Sequence, residues 1–277
     1  MNDPRHNYLL ANAAPELGRL RAQIKVFEPV TDELFRKTGI QPGWNVADIG
    51  CGPGGVLTSL ARAVGPTGKV TGADLDPKLL ESARTYLESE NLSGPQTPKI
   101  SLVQDNLFES KLPPKSFNLT HARFLFAPLG PTRDILGSLC SLTRAGGIVV
   151  TQEPDNSSWA LYPELPSFLR LKQVVEEAFS LNGGDFNAGR WTYRKFLEAG
   201  LQDIQIDSCV VALPPKHPYN QVVLQFAESL KTKIIASRLM TEQALDQAIQ
   251  DVKSHTSRSD VLGVTFVVNR VWARVPN

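Results

Sequence analysis

Residues 46–55 read Val-Ala-Asp-Ile-Gly-Cys-Gly-Pro-Gly-Gly, and this stretch decides the fold. It joins a short apolar strand, Asn45–Ile49, to a helix predicted over Val56–Val64. Glycines at positions 50 and 52 let the backbone turn sharply and let a ligand approach the main chain. The first turn of the following helix points N–H groups at that ligand and favours a negatively charged group. The stretch therefore predicts a ligand site at the end of a β-strand.

The alternation of strand and helix continues to about residue 152. Its further members are strands at Lys69–Leu75, Ile100–Gln104, Phe117–Ala122 and Ile148–Gln152, and helices at Pro77–Glu90 and Thr132–Leu142. Strand, helix and strand at this rhythm predict a parallel sheet with helices on both faces.

Both ends of the chain depart from this alternation. Residues 14–38 carry apolar side chains at helical spacing that Pro29 interrupts, so two short helices are predicted ahead of the main domain. Later, a strand is predicted at 204–213, a helical stretch at about 219–254 and a β-rich segment at 262–274. Two late strands joined by a long helical stretch indicate an antiparallel edge strand and a helical insertion.

The predicted fold class is therefore α/β. We expect a Rossmann-like, mostly parallel seven-stranded sheet with an antiparallel edge strand, an N-terminal helical lid and a helical insertion before the last strand. The expected lid is residues 1–39, and the expected main domain is residues 40–277 with a helical cap at about 219–256. Open α/β sheets bind ligands at the carboxyl ends of their strands, where such a cap would lie.

The composition of the chain limits the classes of binding partner that we expect. The 277 residues include 29 Lys and Arg and 28 Asp and Glu, scattered along the chain, which gives no electrostatic case for nucleic acid. No apolar run reaches the roughly 18 residues of a membrane-spanning helix, and the N-terminus lacks a secretory pattern. Three cysteines without metal-ligand spacing predict no metal and fit a reducing cytoplasm. The sequence contains no feature that indicates an oligomeric state.

The glycine turn alone is ambiguous. Gly50, Gly52 and Gly55 also match the dinucleotide pattern G-x-G-x-x-G, and Asp74 lies about where that motif places its ribose-binding acid. A nicotinamide-dependent oxidoreductase therefore stays open at this point, although no Tyr-x-x-x-Lys set accompanies the turn.

Three further features favour a different nucleoside ligand. Asp48 stands two residues before the first glycine of the turn. Asp74 ends the second strand, where its carboxylate can bond both ribose hydroxyls, and Leu75 can cover one face of an adenine. Asp105 and Asn106 end the third strand, where Asp105 can accept from the adenine amino group and the Asn106 backbone can complete the contact with the ring edge.

With these motifs the sequence resembles the class I S-adenosylmethionine-dependent methyltransferases. The matching stretches are VADIGCGPGG (46–55), VTGADLDP (70–77), LVQDN (102–106), FNLTHARF (117–124) and AGGIVVTQE (145–153). The resemblance spans about residues 40–155 and implies S-adenosylmethionine as cofactor and S-adenosylhomocysteine as product. The family often has Asp where Asn118 stands, and we expect no consequence from this departure.

The resemblance also implies which residues contact the cofactor. In the main domain they are Gly50, Cys51, Gly52, Asp74, Leu75, Asp105, Asn106, Ala122 and Arg123. Ala122 would act through its backbone, while Arg123 would hold the methionine carboxylate or pair with Glu153.

The N-terminal stretch has a weaker likeness, carried by Tyr8, Glu16, Arg19, Leu20 and Gln23. It is similar to the entry helices of methyltransferases from microbial, especially fungal, specialised metabolism, a group that includes the enzyme that thiomethylates gliotoxin. In that group these helices close over the cofactor. The likeness implies that Tyr8 and Gln23 contact the cofactor too.

No catalytic base is evident in the sequence. His121, Glu153, Asp155 and Tyr162 are candidates near the rim after the fourth and fifth strands, although a hydrogen-bonded structural role is favoured for His121. A thiol acceptor supplies some thiolate unaided, whereas an alcohol does not. We therefore expect a small natural product methylated on a heteroatom, with a lean towards sulfur; O- or N-methylation and a non-catalytic binding protein are the alternatives.

Aromatic residues in the last third are candidates for the acceptor pocket, although most aromatics at such spacing belong to the core. They are Trp159, Tyr162, Phe168, Phe186, Trp191 and Tyr193.

Overall fold

A computed structural model of the chain describes residues 14–92, 94 and 96–277. The first half of this range mostly alternates between helix and strand. Its elements are α1 Ala14–Thr38, β1 Asn45–Ile49, α2 Gly55–Val64, β2 Lys69–Asp74, α3 Pro77–Ser89, β3 Lys99–Gln104, β4 Phe117–Arg123, α4 Phe126–Leu129, α5 Ile135–Leu142 and β5 Thr143–Asp155.

The second half is less regular and contains a small additional sheet. Its elements are β6 Ala160–Tyr162, α6 Pro166–Leu181, α7 Gly189–Glu198, β7 Gln202–Cys209, β8 Ala212–Leu213, α8 Val222–Ala236, α9 Glu242–Thr256, β9 Leu262–Val264 and β10 Val267–Arg274.

The main sheet has seven strands in the order β3-β2-β1-β4-β5-β10-β7. Strands β1 to β5 pair in parallel, and β10 runs antiparallel to both of its neighbours, β5 and β7. The antiparallel strand therefore lies one place in from the edge, and β7 forms the edge itself. The predicted fold class, a mostly parallel Rossmann-like sheet, is confirmed.

Local sequence explains where several helices begin. Pro77 occupies the first turn of α3, and the Asp76 side chain in front of it accepts a hydrogen bond from the Lys78 N–H at 2.8 Å. Thr241 caps α9 in the same way by accepting from the Ala244 N–H. These caps satisfy N–H groups that a helix cannot bond internally.

Helix α1 differs from the prediction, because it is one continuous helix rather than two short ones. Pro29 lies inside it and cannot donate to the carbonyl four residues back, which ordinarily costs about 3 kcal/mol. Side chains from other elements hold the helix on both sides of this point. Arg270 donates to the Val30 carbonyl at 2.7 Å, and Arg62 bonds both Glu28 and Asp32. These tertiary contacts keep the helix unbroken.

The core divides into layers that position the carboxyl edge of the sheet. One buried cluster lies between α2, α3 and the sheet, and a second lies between α5, α7 and the opposite face. A third cluster joins α1, α6, α8 and α9 to the small sheet β6-β9-β8. In the described part of the chain, no helix is both long and apolar enough to cross a membrane.

Candidate functional site

The glycine turn after β1 adopts backbone conformations that favour glycine. Gly50 and Gly52 have φ angles of +71° and +52°, in the left-handed region. The N–H groups of Gly50 and Cys51 both donate to the Ala73 carbonyl of β2, at 2.8 and 3.0 Å. The turn is thereby tied to the neighbouring strand.

Asp74, at the end of β2, completes this tie. One of its carboxylate oxygens accepts from the Gly52 N–H at 2.8 Å, and the other accepts from the Asp76 N–H at 2.9 Å. Burial raises the pKa of Asp74 to about 6, against the lowering effect of the two N–H groups. Each oxygen keeps acceptor capacity, so the carboxylate can still receive two hydroxyl donors from a ligand.

Asp105 and Asn106 follow β3 and also organise their own loop. The Asp105 carboxylate accepts from the Ser110 hydroxyl at 2.5 Å and from the Lys111 N–H at 2.9 Å. The Asn106 side chain accepts from the Phe108 N–H at 3.2 Å. Asp105 therefore has a structural role in holding the loop, and any contact with a ligand would come in addition to it.

The turn after β4 combines a partly buried cation with a strained aromatic residue. Arg123 donates to the Thr31 hydroxyl of α1 at 3.2 Å and forms no ion pair with any described residue. Desolvation lowers the pKa of its guanidinium, against the raising effect of nearby groups of which Asp48 is the largest. Phe124 follows with φ of +55°, a conformation that is rare for a bulky side chain.

Glu153, near the end of β5, holds this turn from beneath. Its fully buried carboxylate accepts three backbone hydrogen bonds: from Leu125 and Phe126 at 3.0 Å each, and from Ala127 at 3.2 Å. Glu153 thus caps the N-terminus of α4, although it lies on β5 and α4 follows β4. Burial raises the pKa of Glu153 to about 8, because the three N–H groups offset the loss of solvation only in part.

A single cavity of about 400 Å³ opens above the carboxyl ends of these strands. One half is bounded by the glycine turn and the strand ends, and includes Gly50, Gly52, Asp74, Leu75, Asp105, Asn106 and Leu107. The other half is walled by five phenylalanines, namely Phe124, Phe179, Phe186, Phe226 and Phe266. Several of these rings meet edge to face, with centroids 5.3 to 5.6 Å apart.

Helix α1 also contributes to the cavity. Arg19 and Gln23 line it and are almost fully buried, with the guanidinium donating to the Gln23 amide oxygen at 2.9 Å. The Arg19 guanidinium also lies over the Phe226 ring of α8, 4.6 Å from its centroid. Helices α1 and α8 therefore meet at the cavity.

The structure brings most of the predicted cofactor contacts into this cavity. Those that line it are Gln23, Gly50, Gly52, Asp74, Leu75, Asp105, Asn106 and Arg123. Cys51 and Ala122 are buried beside the cavity rather than in its lining. Tyr8 lies outside the described residues. The suggested pairing of Arg123 with Glu153 is wrong, because Glu153 is engaged by the backbone of residues 125–127.

None of the four suggested bases lines the cavity. His121 and Glu153 are fully buried, Asp155 forms a bidentate ion pair with Arg190, and Tyr162 is half exposed. The prediction that these four residues lie at the rim is wrong. His121, Glu153 and Asp155 are engaged by other partners, and the Tyr162 side chain is exposed to solvent outside the cavity lining. Among the described lining residues there is no His, Cys, Tyr or Glu.

His121 instead belongs to a buried hydrogen-bonded chain beneath the site. Its Nδ1 lies 2.7 Å from the Asp48 carboxylate, and its Nε2 lies 2.9 Å from the Gln152 amide nitrogen. Because a carboxylate only accepts, Nδ1 carries the proton and Nε2 accepts from Gln152. Gln152 in turn bonds Thr31 of α1 at 3.3 Å. This hydrogen-bonded chain links β1, β4, β5 and α1, and it gives Asp48 a structural role.

Most of the five phenylalanines that wall the cavity were not predicted from the sequence. Of the six aromatic residues named there, Phe186 lines the cavity, and Trp159 stacks behind it with the ring planes 7° apart. The missed phenylalanines come from α6, α8 and the turns after β4 and β9. No local pattern in the sequence connects these four segments; the left-handed Phe124 after the fourth strand is visible only in the structure.

Comparisons with known proteins agree with this geometry. A family model described as a methyltransferase domain matches residues 40–211, more than half of the chain. A demethylmenaquinone methyltransferase of Shouchella clausii is 22% identical over 189 residues, which cover 64% of this chain and 78% of that protein. A 37.1 kDa protein in a transposon of Streptomyces fradiae is 30% identical over 162 residues, but the match covers only 44% of its length.

A solved structure shares the fold. Phosphoethanolamine N-methyltransferase 2 of Haemonchus contortus, in complex with phosphomonomethylethanolamine and S-adenosylhomocysteine, superposes with a TM-score of 0.60 at 16% identity. The match covers all of this chain and 61% of that one. The fold and site define a Rossmann-like, nucleoside-binding enzyme class. The chain belongs to the S-adenosylmethionine-dependent methyltransferase family, and the predicted enzyme class and cofactor are confirmed.

Proposed function

We propose that the chain transfers the methyl group of S-adenosylmethionine to a small apolar acceptor inside this cavity. The observation that carries the proposal is the cavity itself, which joins a polar half suited to a nucleoside to a half walled by phenylalanine. Pockets of a few hundred Å³ with apolar walls and a few placed polar groups are typical of small-molecule sites.

In this proposal Asp74 accepts both ribose hydroxyls, Leu75 covers one face of the adenine, and Asp105 with the Asn106 backbone contacts the ring edge. Gly50 and Gly52 allow the methionine part to approach the main chain. The sulfonium makes the methyl carbon electrophilic when the cofactor is bound, so the chain's main task is to align the acceptor for in-line attack.

Arg123 is the proposed partner of the methionine carboxylate. A partly buried guanidinium that lines a cavity without a carboxylate partner is incompletely compensated, and an anionic ligand group would supply that partner. Gln23 of α1 is proposed as a second contact, and Tyr8 stays a candidate contact from the sequence analysis. The site needs no metal in this proposal, since the methyl donor is already activated.

The acceptor is proposed to be a flat, unsaturated molecule, because edge-to-face phenylalanine rings form its half of the cavity. The described lining contains no side chain that would serve as a general base near neutral pH apart from carboxylates in the nucleoside half. This supports an acceptor atom that ionises readily, and among heteroatoms a thiol does so more easily than an alcohol. We therefore keep sulfur first, followed by phenolic oxygen and nitrogen.

Similarity to demethylmenaquinone methyltransferases supports a second candidate. Those relatives act, by their name, on a quinone. A reduced naphthoquinone is flat and apolar, which suits the phenylalanine wall, and its ring carbon becomes nucleophilic when the neighbouring hydroxyl loses its proton. The new C–CH3 bond would form as the S–CH3 bond of the cofactor breaks, and the proton on that ring carbon would then leave to solvent. Carbon methylation of such a ring is thus the alternative to methylation of a heteroatom.

Residues 1–39 are proposed as a lid and the insertion at about 219–256 as a cap over the acceptor. The contact of Arg19 in α1 with Phe226 in α8 supports this arrangement, since both line the cavity. The proposed setting is the cytoplasm, in the metabolism of specialised small molecules.

The function is tested with purified protein, S-adenosylmethionine carrying a deuterated methyl group, and three matched naphthalene acceptors: a thiol, a phenol and a 1,4-hydroquinone. Mass spectrometry locates the added label on sulfur, oxygen or carbon. Label on the thiol supports the first candidate, and label on a ring carbon supports the second. Transfer to protein or RNA alone, with none to small molecules, would overturn the proposal.

A further inference from the structure

The turn after β4, residues 123–127, forms a wall shared by both halves of the cavity, yet its conformation is unfavourable by itself. Phe124 adopts a left-handed backbone with φ of +55°. Such a conformation is unfavourable for a bulky residue and persists only where the surroundings impose it. Something in the structure must therefore hold the turn.

Two sets of hydrogen bonds from β5 hold it. The Phe124 N–H donates to the Gln152 carbonyl at 2.9 Å. The next three N–H groups, of residues 125–127, all donate to the buried Glu153 carboxylate. Hydrogen bonds to a charged acceptor are about twice as strong as neutral ones. Glu153 thus gathers three successive N–H groups that would otherwise lack partners at the start of α4.

The turn in this conformation shapes the cofactor half as well as the acceptor half. The Leu125 side chain packs so closely on the glycine turn that a Cβ at Gly50 would lie 2.9 Å from Leu125 Cδ1. Arg123 and Phe124 are consecutive residues of this turn, and both line the cavity. Glu153 itself is fully buried and does not line the cavity, so it acts only through these residues.

We infer that Glu153 is a positioning residue for methyl transfer, which holds the strained turn after β4 so that Arg123 meets the methionine carboxylate and Phe124 faces the acceptor. The inference rests on the proposed function and deepens it. It concerns the amino-acid end of the cofactor rather than the nucleoside end, because Asp74, Leu75 and Asp105 lie on other strands.

Two ligands separate this role from a general structural one. S-adenosylhomocysteine carries the methionine-derived carboxylate, whereas 5′-methylthioadenosine contains the same nucleoside and lacks it. Calorimetry at pH 9 on the full chain should show that E153Q weakens binding of S-adenosylhomocysteine at least fivefold and changes binding of 5′-methylthioadenosine less than twofold. Equal weakening of both ligands, or weakening of neither, would overturn the inference.

The pH profile supplies a readout that misfolding would not produce. An ionised Glu153 accepts all three N–H groups, whereas a protonated carboxyl resembles the amide of E153Q. The difference between the wild type and E153Q should therefore grow as the pH rises from 6.5 to 9. E153A, which removes both oxygens, should weaken S-adenosylhomocysteine binding at every pH.

Matched variants complete the test. E176Q alters another partly buried carboxylate that accepts side-chain amides, from Asn156 and Asn187, outside the cavity lining, and should leave both affinities unchanged. F124G removes the left-handed strain together with the ring, while F124A removes only the ring. In the E153Q background, F124G should recover more S-adenosylhomocysteine affinity than F124A. Equal affinities would show that Glu153 does not act on this strain.

The two levels of failure are distinct. A wild type that binds neither ligand would refute the proposed function, and the inference with it. A wild type that binds both, with an E153Q variant that does not discriminate between them, would refute the inference alone.

Discussion

At the scale of single residues, the site depends on carboxylates whose surroundings differ. Asp74 receives two backbone N–H groups and has acceptor capacity left, whereas Glu153 receives three and faces no ligand. Both pKa values are raised by burial, to about 6 and about 8. Their titrations should consequently have separate effects, one on ligand binding and the other on the turn and on stability.

Cofactor binding should depend on the protonation of Asp74. Only the ionised carboxylate accepts from both ribose hydroxyls, so S-adenosylhomocysteine affinity should be constant above pH 6 and fall below it, approaching tenfold per pH unit. D74N should bind at least tenfold more weakly at pH 7.5, because hydrogen bonds to charged groups contribute about 1.5–3 kcal/mol each. Calorimetry across pH 5 to 8 measures both effects.

The matched control is D134N, which removes a carboxylate charge at the start of α5, where its side chain accepts from the Gly137 N–H, and residue 134 does not itself line the cavity. It should lower stability and leave affinity unchanged. A D74N variant that binds as the wild type does at pH 7.5 would show that Asp74 does not hold the ribose.

At the scale of elements, α1 is held unevenly. Beyond Pro29 it is fixed by Thr31, which bonds Gln152, and by Lys37, which bonds Asp207 at 2.7 Å. Arg270 also reaches the carbonyl of Val30. Before Pro29 it lines the cavity, contacts α8 through Arg19, and packs on α2 through Ile24 and Glu28. The first half of the helix should therefore open more easily than the second, since Pro29 also lacks one internal hydrogen bond.

Hydrogen exchange provides the corresponding prediction. Amides of residues 17–28 should gain protection when S-adenosylhomocysteine binds, while amides of residues 31–38 should be protected with or without ligand. The measurement is mass-spectrometric exchange on overlapping peptides. Equal protection of residues 17–28 in the free and bound protein would argue against a lid.

The seat of α1 on α2 is a close contact. A Cβ at Gly55 would lie 2.2 Å from Ile24 Cγ1, so G55A must displace the helix or the side chain. The expected loss in the free energy of unfolding is about 1–3 kcal/mol, with weaker cofactor binding because Gln23 and Arg19 move too. Denaturant unfolding and calorimetry measure the two effects.

The contact is isolated by a second substitution and by a control. G55A combined with I24A should cost less than the sum of the two single variants, because the smaller side chain removes the overlap. G18A lies in the same helix with open space around its Cβ position, and it should be neutral or slightly stabilising. Additive costs in the double variant would contradict this account.

Elements between residues 45 and 155 agree with the sequence prediction mainly because their signals are local. The bounds of β1 match, and β2, β3 and α3 differ by about one residue. The continuity of α1 could not be predicted, since it depends on Arg270, far away in the sequence. The phenylalanine wall could not be predicted for the same reason, because its residues are far apart in the sequence and come together only in the folded chain.

At the scale of the whole molecule, Glu153 should leave a signature in stability. Its pKa is raised by burial, so the folded state keeps a proton that the unfolded state releases above pH 4.5. The unfolded state then binds fewer protons between pH 4.5 and 8, and the free energy of unfolding falls as pH rises, by at most about 1.4 kcal/mol per pH unit from this group.

E153Q removes that titration, so the difference in unfolding free energy between wild type and E153Q should shift steadily in favour of E153Q from pH 5 to 8. Urea unfolding at four pH values checks the slope, and E176Q is again the matched control. A difference that does not vary with pH would mean that Glu153 is ionised throughout this range.

The position of β10 in the sheet has a consequence for biosynthesis. The ribosome completes β5 at residue 155 and β7 at residue 209, but the strand that bridges them begins only at residue 267. Until then the apolar edge of β5 has no partner on that side, an exposed state prone to mispairing with other nascent chains. We therefore expect the first five strands to pair early, and the β10 side of the sheet to form only after β10 has been synthesised. Chaperones should be needed most between the synthesis of β5 and that of β10.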